Sequence, residues 1–485
     1  MELYFSDAFG VPASTLDDYG AFNISLVTDL PLFVDPFLLF NSSKQEYQQL
    51  HDAMIRYLRF LRVKSATGVV QPGLVRQWYR FSEVKQNWLG FCGSGNRGRG
   101  LGRDFANALN ANLVDVFRDF GAEKVTRGSH IEKLCLIRSG VGRDMISDFT
   151  TNLIKGYLLR YTECFAQLHV AEDRRQVWSV KRTRFNYELE CWMPVRFELP
   201  TYDHDYVILT PKDILTKDDT WISHRDMVNR FSDIPDAMED AHLRNQVNNY
   251  FLSVLSQEPT AEELQHAVTQ TLLRFPAIID HYIRMKEDQG DDAVAHSALG
   301  VSESYQLYVK QFGQLAQLLH DLTAFFRVPR TTQEEARRKV EFLKDVIENK
   351  GGHRLFYVDG EPVRRESDLQ ILYRLVWHGT VSDVSREVND GRGPADFKVS
   401  RGSADKTIVE FKLASNPQLR RNLQKQTEAY QKASDARTGL KVILFFTEAE
   451  ELKVYGLLQE LGMLSDPRVI LIDARDDNKP SASKA

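Results

Sequence analysis

Residues 391–430 read GRGPADFKVSRGSADKTIVEFKLASNPQLRRNLQKQTEAY, and this stretch decides the fold of the C-terminal part of the chain. ADFKVS and TIVEFKLA have the β-branched and aromatic content of strands, and the short turn RGSADK separates them. Side chains alternate along a strand, so Val409, Phe411 and Leu413 share one face and require a core. Glu410 and Lys412 share the other face. If the hairpin pairs its strands, Asp396 reaches that second face from the neighbouring strand. Read alone, such a face is an ordinary solvated surface, and Glu-x-Lys carries nothing by itself: it recurs at Glu83/Lys85, Glu348/Lys350 and Glu451/Lys453. Only at Glu410/Lys412 does it lie in an alternating strand beside an Asp-bearing one.

Working outward, NPQLRRNLQKQTEAYQKAS predicts a helix with Asn416 as N-cap and Pro417 at its first position. Leu419, Leu423, Gln426 and Tyr430 fall on one face of it, and Gln426 interrupts an otherwise apolar stripe. On the N-terminal side, RLFYVDG reads as a short strand, ESDLQILYRLVW as a helix buried through Leu369, Leu372 and Leu375, and VSREV as a strand. KVILFF supplies another strand after the second helix, and VILIDAR a further one. Helix, three-strand meander, helix and strand make an αβββαβ order, and mixed α/β (α+β) is the fold class expected for the chain.

The order of elements and these residues together resemble the PD-(D/E)xK nuclease superfamily, the restriction-endonuclease-like fold. QTEAY is similar to the Gln-x-x-x-Tyr motif of its RecB-like branch. The resemblance covers roughly the last 130 residues and none of the first 330. It implies Asp396 and Glu410 as metal ligands, Lys412 as the catalytic lysine, and Gln426 and Tyr430 as the motif after the catalytic core. It further implies an acidic residue of the first helix at the metal, for which Glu366 is the candidate and Glu387 a weaker one. Pro394 and Asp396 are separated by Ala395, where the name motif has them adjacent. The implied activity is magnesium-dependent phosphodiester hydrolysis, with manganese as the alternative ion. DNA is the implied substrate, in anti-phage defence or DNA processing.

The residue types fit that chemistry. Two close carboxylates repel unless a cation lies between them, and magnesium takes one or two carboxylates together with water. A neighbouring lysine positions the attacking water and stabilises charge on the phosphate. From Gly391 to Lys441 there are eleven basic and five acidic side chains, a local excess of six in a chain of net charge −5. Such a field suits a polyanion. Arg420 and Arg421, early in the helix, are candidate phosphate contacts, although each is equally well read as part of a solvated helix face.

At 485 residues, 42% hydrophobic and 27% charged, the chain has the composition of a globular protein with two or three domains. The expected division is a mixed α/β region over 1–235, a helical region over 236–330 and the nuclease-like domain over 331–485, with the last boundary near Pro329. In the helical region KEDQGDDA reads as a loop. Thr332 and Glu335 have the spacing of a capping box, and Gly351–Gly352 should end the helix that follows.

The N-terminal residues carry no secretory pattern and DLPLFVDPFLLF is too short and broken to span a bilayer, so a cytoplasmic protein without a membrane partner is expected. The four cysteines form no CxxC pair and the twelve histidines no HExxH, which leaves no zinc-site signature. No GxxxxGK[ST] occurs, so a motor or sensor would be a partner protein; a homo-oligomer is also open.

Two weaker constellations lie upstream. CGSGNRGRGLGRDF holds Gly93, Gly95 and Gly98 with Arg97, Arg99 and Arg103. It is a surface loop first, a basic loop on a nucleic-acid backbone second, through Arg97 and Arg99, and a nucleotide cofactor site a distant third. Asp144, Asp148 and Asn152 share a helical face; charge at the helix N-terminus explains Asp144 and leaves Asp148 open to a basic partner. The competing class of function is a nucleic-acid-binding or scaffold protein on an inactive nuclease fold.

Overall fold

The computed structural model describes residues 2–68, 70–90, 101–102, 105–107, 109–110, 113, 123–137, 143–217, 219–256, 260–320, 331–377, 382–389, 394–401, 405–424 and 438–479. The chain is a mixed α/β protein. Its larger N-terminal part is mostly helical around one long antiparallel hairpin, Arg175–Asn186 with Cys191–Tyr202, whose register shifts between Val180 and Arg184. Among its helices Gln45–Ala66 is the longest, and it buries Tyr47, His51, Met54, Leu58 and Leu61 at the spacing of one helical face.

The C-terminal part is one sheet between helices. In chain order its principal elements are α1 (Thr332–Asn349), α2 (Glu366–Trp377), β1 (Asp383–Asn389), β2 (Pro394–Arg401), β3 (Asp405–Leu413), β4 (Thr438–Phe445), α3 (Glu448–Glu460) and β5 (Val469–Asp473). The sheet order is β5-β4-β3-β2-β1. β1, β2 and β3 form an antiparallel meander, while β4 runs parallel to β3 and β5 parallel to β4. β3 is therefore the central strand, and it is buried from Thr407 to Leu413.

Both faces of the sheet are covered. Val409, Phe411 and Leu413 pack into the main core with Val340 and Leu343 of α1 and with Leu372 and Tyr373 of α2. The Tyr373 ring lies 4.7 Å from Phe411 and 4.8 Å from Phe397. On the other face Ile443 and Phe445 meet Leu419, Leu423, Val454 and Leu458 in a second, smaller cluster. The main core itself runs unbroken from Leu3 to Ala474. Tyr4 Oη donates to the Tyr308 carbonyl at 2.5 Å, and Tyr308 Oη donates to Asp368 Oδ1 of α2 at 2.8 Å. The first residues of the chain thus brace α2 of the C-terminal unit.

Three expectations are corrected. KEDQGDDA is not a loop: helices Ile278–Asp288 and Gly290–Ser304 are separated by Gln289 alone. Asp291 and Asp292 lie in the first turn of the second helix, where the dipole favours acids, and Lys286 and Glu287 are buried in partnered positions. The cap of α1 is Thr331, whose side chain accepts from Glu334 N. Thr332 instead donates through its hydroxyl to Asp405 Oδ1 at 2.7 Å, and Glu335 binds Ser382 Oγ at 2.5 Å and the Arg401 guanidinium. These side chains tie α1 to the sheet because they face it, so tertiary partners replace the local capping box. Finally, VILIDAR supplies the fifth strand of the sheet as expected, but α3, between the last two strands, was not foreseen. Pro329 lies outside the described residues.

The glycine stop holds: Gly351 adopts φ 77°, and a Cβ at Gly352 would come within 2.8 Å of the Val346 carbonyl oxygen. Among the described residues no helix is long and apolar enough to cross a membrane.

The Glu335–Arg401 pair generates a test. Arg401→Ala leaves a nearly buried carboxylate without its cation, and is expected to lower stability by about 2–4 kcal/mol in urea unfolding of the full chain. An unchanged midpoint would show that the pair contributes nothing.

Candidate functional site

β3 has the register that the hairpin requires. It pairs antiparallel with β2 from Asp405↔Arg401 to Val409↔Phe397, and the same register carried one residue further sets Asp396 across from Glu410. On its other side Glu410 pairs with Lys441 and Lys412 with Ile443 of β4. Glu410 and Lys412 are not an exposed charged face: both are buried, at 3% and 8% exposure, because helical and loop segments cover this side of the sheet as well. Lysine and glutamate are almost never this buried unless partnered.

One partner of Lys412 is Glu366, the first residue of α2. Lys412 Nζ lies 3.2 Å from Glu366 Oε2. Glu366 Oε1 accepts from Asn416 Nδ2 at 2.7 Å and from the Leu413 backbone N–H at 3.3 Å. Asn416 also accepts from Gln418 N at 2.8 Å through Oδ1, so it caps the turn into the helical segment 419–424, while Pro417 lies in that turn and not at the first helical position that was expected. Its amide group has a second task that the sequence did not reveal, which is to orient Glu366. An acid at the start of one helix, a lysine on the central strand and an amide just past that strand thus meet at one end of β3.

Lys441 is the residue that sequence reading missed. It is buried, and its Nζ donates to the Leu423 carbonyl at 2.6 Å. Its place beside Glu410 follows from the β3–β4 register, and the only advance signal was a lysine at the head of the apolar run KVILFF.

The other candidates divide as follows. Asp396 and Glu387 lie on described strands, β2 and β1, but their side chains are outside the described set. Gln426, Tyr430, Arg97, Arg99 and the Gly-rich segment from Gly93 to Gly98 lie outside the described residues. Arg420 and Arg421 are exposed, and Arg420 pairs with Glu460 of α3 at 3.1 Å, each side chain more than half accessible. Such a pair is weak and exchanges readily for another anion.

Carboxylates with a backbone carbonyl and water are a donor set that magnesium accepts, and Asp396 and Glu410 occupy the strand positions to supply it. Glu366 is already engaged by three donors. Among the described residues no group of three or more His, Cys, Asp or Glu could hold a metal ion.

Residues 332–448, from α1 to the start of α3, are similar to a family described as a domain of unknown function (DUF8371). Residues 10–223 are similar to a second family so described (DUF8370). No curated protein and no solved structure matches the chain.

The upstream acidic face is built into helix Arg143–Leu153. Asn152 Nδ2 donates to the Ser82 carbonyl at 3.0 Å and the Asp148 carbonyl at 2.9 Å, a structural tie. Burial, with the nearby Asp144 and Glu83, pushes the Asp148 carboxyl up from 3.8 to about 8. An acid with a raised folded-state pKa binds more protons folded than unfolded between the two values, so stability falls as pH rises through that window. Asp148→Asn should match the wild type near pH 4 and melt roughly 2–4 °C higher at pH 8.5, read by thermal scans across pH. Equal melting temperatures at both pH values would remove the assignment.

Proposed function

We propose that the C-terminal unit is the hydrolytic part of a magnesium-dependent nuclease of the PD-(D/E)xK kind, acting on DNA. One observation carries the reading. Lys412, Glu410 and Glu366, three groups separately marked in the sequence, come from a helix and the central strand to one sheet end, with Asp396 in register across from Glu410. The local excess of positive charge between Gly391 and Lys441 supports a polyanionic substrate.

In this reading Asp396 and Glu410 hold the metal, with Glu366 near it. When bound, the metal supplies an activated water and neutralises charge on the phosphate. Lys412 is kept at the site by Glu366, which is itself fixed by Asn416 and the Leu413 N–H, so the ammonium is oriented before substrate arrives. It then hydrogen-bonds the attacking water and the developing phosphate charge. Gln426 and Tyr430 are proposed as the motif that follows the catalytic core, and Arg420 and Arg421 contact the backbone of the nucleic acid. Arg97 and Arg99 are proposed as further backbone contacts. A DNA-processing or anti-phage setting, a motor or sensor partner and a homo-oligomer rest on the resemblance alone.

The second reading, a nucleic-acid-binding scaffold without chemistry, is favoured by one feature: Glu366 engages the Lys412 ammonium. Incubating plasmid with the full chain in magnesium, manganese or EDTA separates the two. Metal-dependent cleavage is expected, and Lys412→Ala should reduce it about 10²–10³-fold while leaving DNA retention in gel shifts unchanged. Cleavage that persists in EDTA, or that is normal in Lys412→Ala, rejects the nuclease assignment. Asn416→Ala is expected to lower the rate about tenfold without loss of fold, since it frees Glu366 to wander from Lys412.

A further inference from the structure

A half-open cleft of about 470 Å³ in the N-terminal part is lined by four tyrosines. Tyr19 ends the helix Ala13–Tyr19, Tyr47 stands in the first turn of Gln45–Ala66, and Tyr157 and Tyr161 lie one turn apart on Lys155–His169. The Tyr157 and Tyr161 rings are 6.1 Å apart and inclined by only 29°. Tyr47 meets Tyr157 edge-on at 6.0 Å, and Tyr19 lies 4.6 Å from Tyr161.

The chain itself locks this arrangement. Tyr19 Oη donates to the Tyr161 carbonyl at 2.9 Å, Tyr161 Oη donates to the Tyr19 carbonyl at 3.0 Å, and Tyr47 Oη donates to Asp213 Oδ1 at 2.7 Å. Burial raises the Tyr19 and Tyr157 hydroxyls to about 12, so the rings stay neutral. The hydroxyl ends of Tyr19, Tyr47 and Tyr161 are held by the chain, Tyr47 is buried, and the half-buried rings of Tyr19, Tyr157 and Tyr161 supply the open wall.

The charged groups that line it are two lysines, Lys44 and Lys212, and two acids, Glu46 and Asp213. Lys44 pairs with Asp213 at 2.5 Å, with both side chains about half exposed, and Lys212 pairs with Asp17. Exposed pairs of this kind contribute little and exchange readily for a better anion. Glu46, in the first turn of the helix Gln45–Ala66, also lines the cleft, so a bound anion is answered only where Lys44 and Lys212 exchange their carboxylate partners for it.

We infer that this cleft binds a nucleotide-class ligand, with a planar base against the tyrosine rings and its phosphate on Lys44 and Lys212. Flat heteroaromatic rings stack on such walls with little regard to base identity. The volume is that of a small-molecule site. A quaternary ammonium ligand fits less well, because Lys44 Nζ already stands 4.7 Å from the Tyr47 ring centre and takes the cation's position. The ligand is a free mononucleotide or the terminal nucleotide of a single strand, which share this chemistry. The inference concerns binding in residues 10–223 and is independent of the proposed cleavage.

Titration calorimetry on the full chain tests it, with the four nucleoside 5′-monophosphates, adenosine, inorganic phosphate and a 5′-phosphorylated oligo-dT as probes. At least one monophosphate or the oligonucleotide is expected to bind about tenfold or more tightly than adenosine or phosphate alone. Equal strength for monomer and oligonucleotide identifies a free nucleotide, and preference for the oligonucleotide identifies a strand end. Tyr157→Ala should weaken binding about tenfold, and Tyr157→Phe should keep it. Lys44→Ala, an exposed change that leaves the fold alone, should weaken the phosphate-bearing probes and not adenosine. Failure of every monophosphate and of the oligonucleotide to bind the folded wild type overturns the inference, as does binding that Lys44→Ala leaves unchanged. Plasmid cleavage is not the readout, so either result leaves the nuclease reading to its own test.

Discussion

Burial of a charged pair inside the central strand is the constraint on which the C-terminal unit turns. β3 has a strand on each side and apolar clusters on both faces, so Glu410 and Lys412 cannot escape to water by a change of rotamer. An ammonium in that position must find an anion nearby, since the cost of leaving it bare is several kcal/mol. Glu366 provides the anion, and its position is in turn dictated by Asn416 and the Leu413 N–H. The register of β3 against β2 and β4 then decides which other groups stand around it, namely Asp396 on one side and Lys441 on the other.

The same logic recurs where α1 meets the sheet. Thr332, Glu335, Ser382, Arg401 and Asp405 form polar ties across an otherwise apolar contact, and each tie fixes one element relative to another. Apolar packing by Val340, Leu343, Leu372 and Tyr373 supplies most of the attraction, and is tolerant of small shifts. Hydrogen-bonded charges are not tolerant in that way, because an unpaired buried one is expensive. Together they hold the end of β3 in a defined place, as any chemistry at Lys412 demands.

The N-terminal part is joined to this unit through the core and not merely through the chain. Tyr4, Tyr308 and Asp368 make a file of hydrogen bonds that ends two residues from Glu366. A binding event among the tyrosines of the N-terminal half would act on a molecule whose two ends share one hydrophobic core. Residues 10–223 and 332–448 nonetheless correspond to two separate families of domain, so the two surfaces have separate sequence signatures.

Much of the C-terminal unit was legible in the sequence because its signals are local. Alternation in TIVEFKLA, the apolar stripe of ESDLQILYRLVW and Asn416 before Pro417 each depend on neighbours a few residues away, and each element stands where it was expected. The N-terminal half was barely readable: its strands are few, and the tyrosines of its cleft are spread from Tyr19 to Tyr161 without a motif. Where local rules failed, a distant partner had outbid a near one. Thr332 and Glu335 had the spacing of a capping box but turned to Asp405 and Arg401, and the acids of KEDQGDDA were drawn into two helices by burial and the helix dipole. By itself, then, the sequence determined the strands of the C-terminal sheet and the helices before and within it except α3, the face that Glu410 and Lys412 share, and the acids worth watching. Tertiary structure alone decided that this face is buried, that Glu366 meets Lys412, and that Lys441 stands beside Glu410. The reason is that strand register and burial depend on residues far apart in the chain, which no local spacing records.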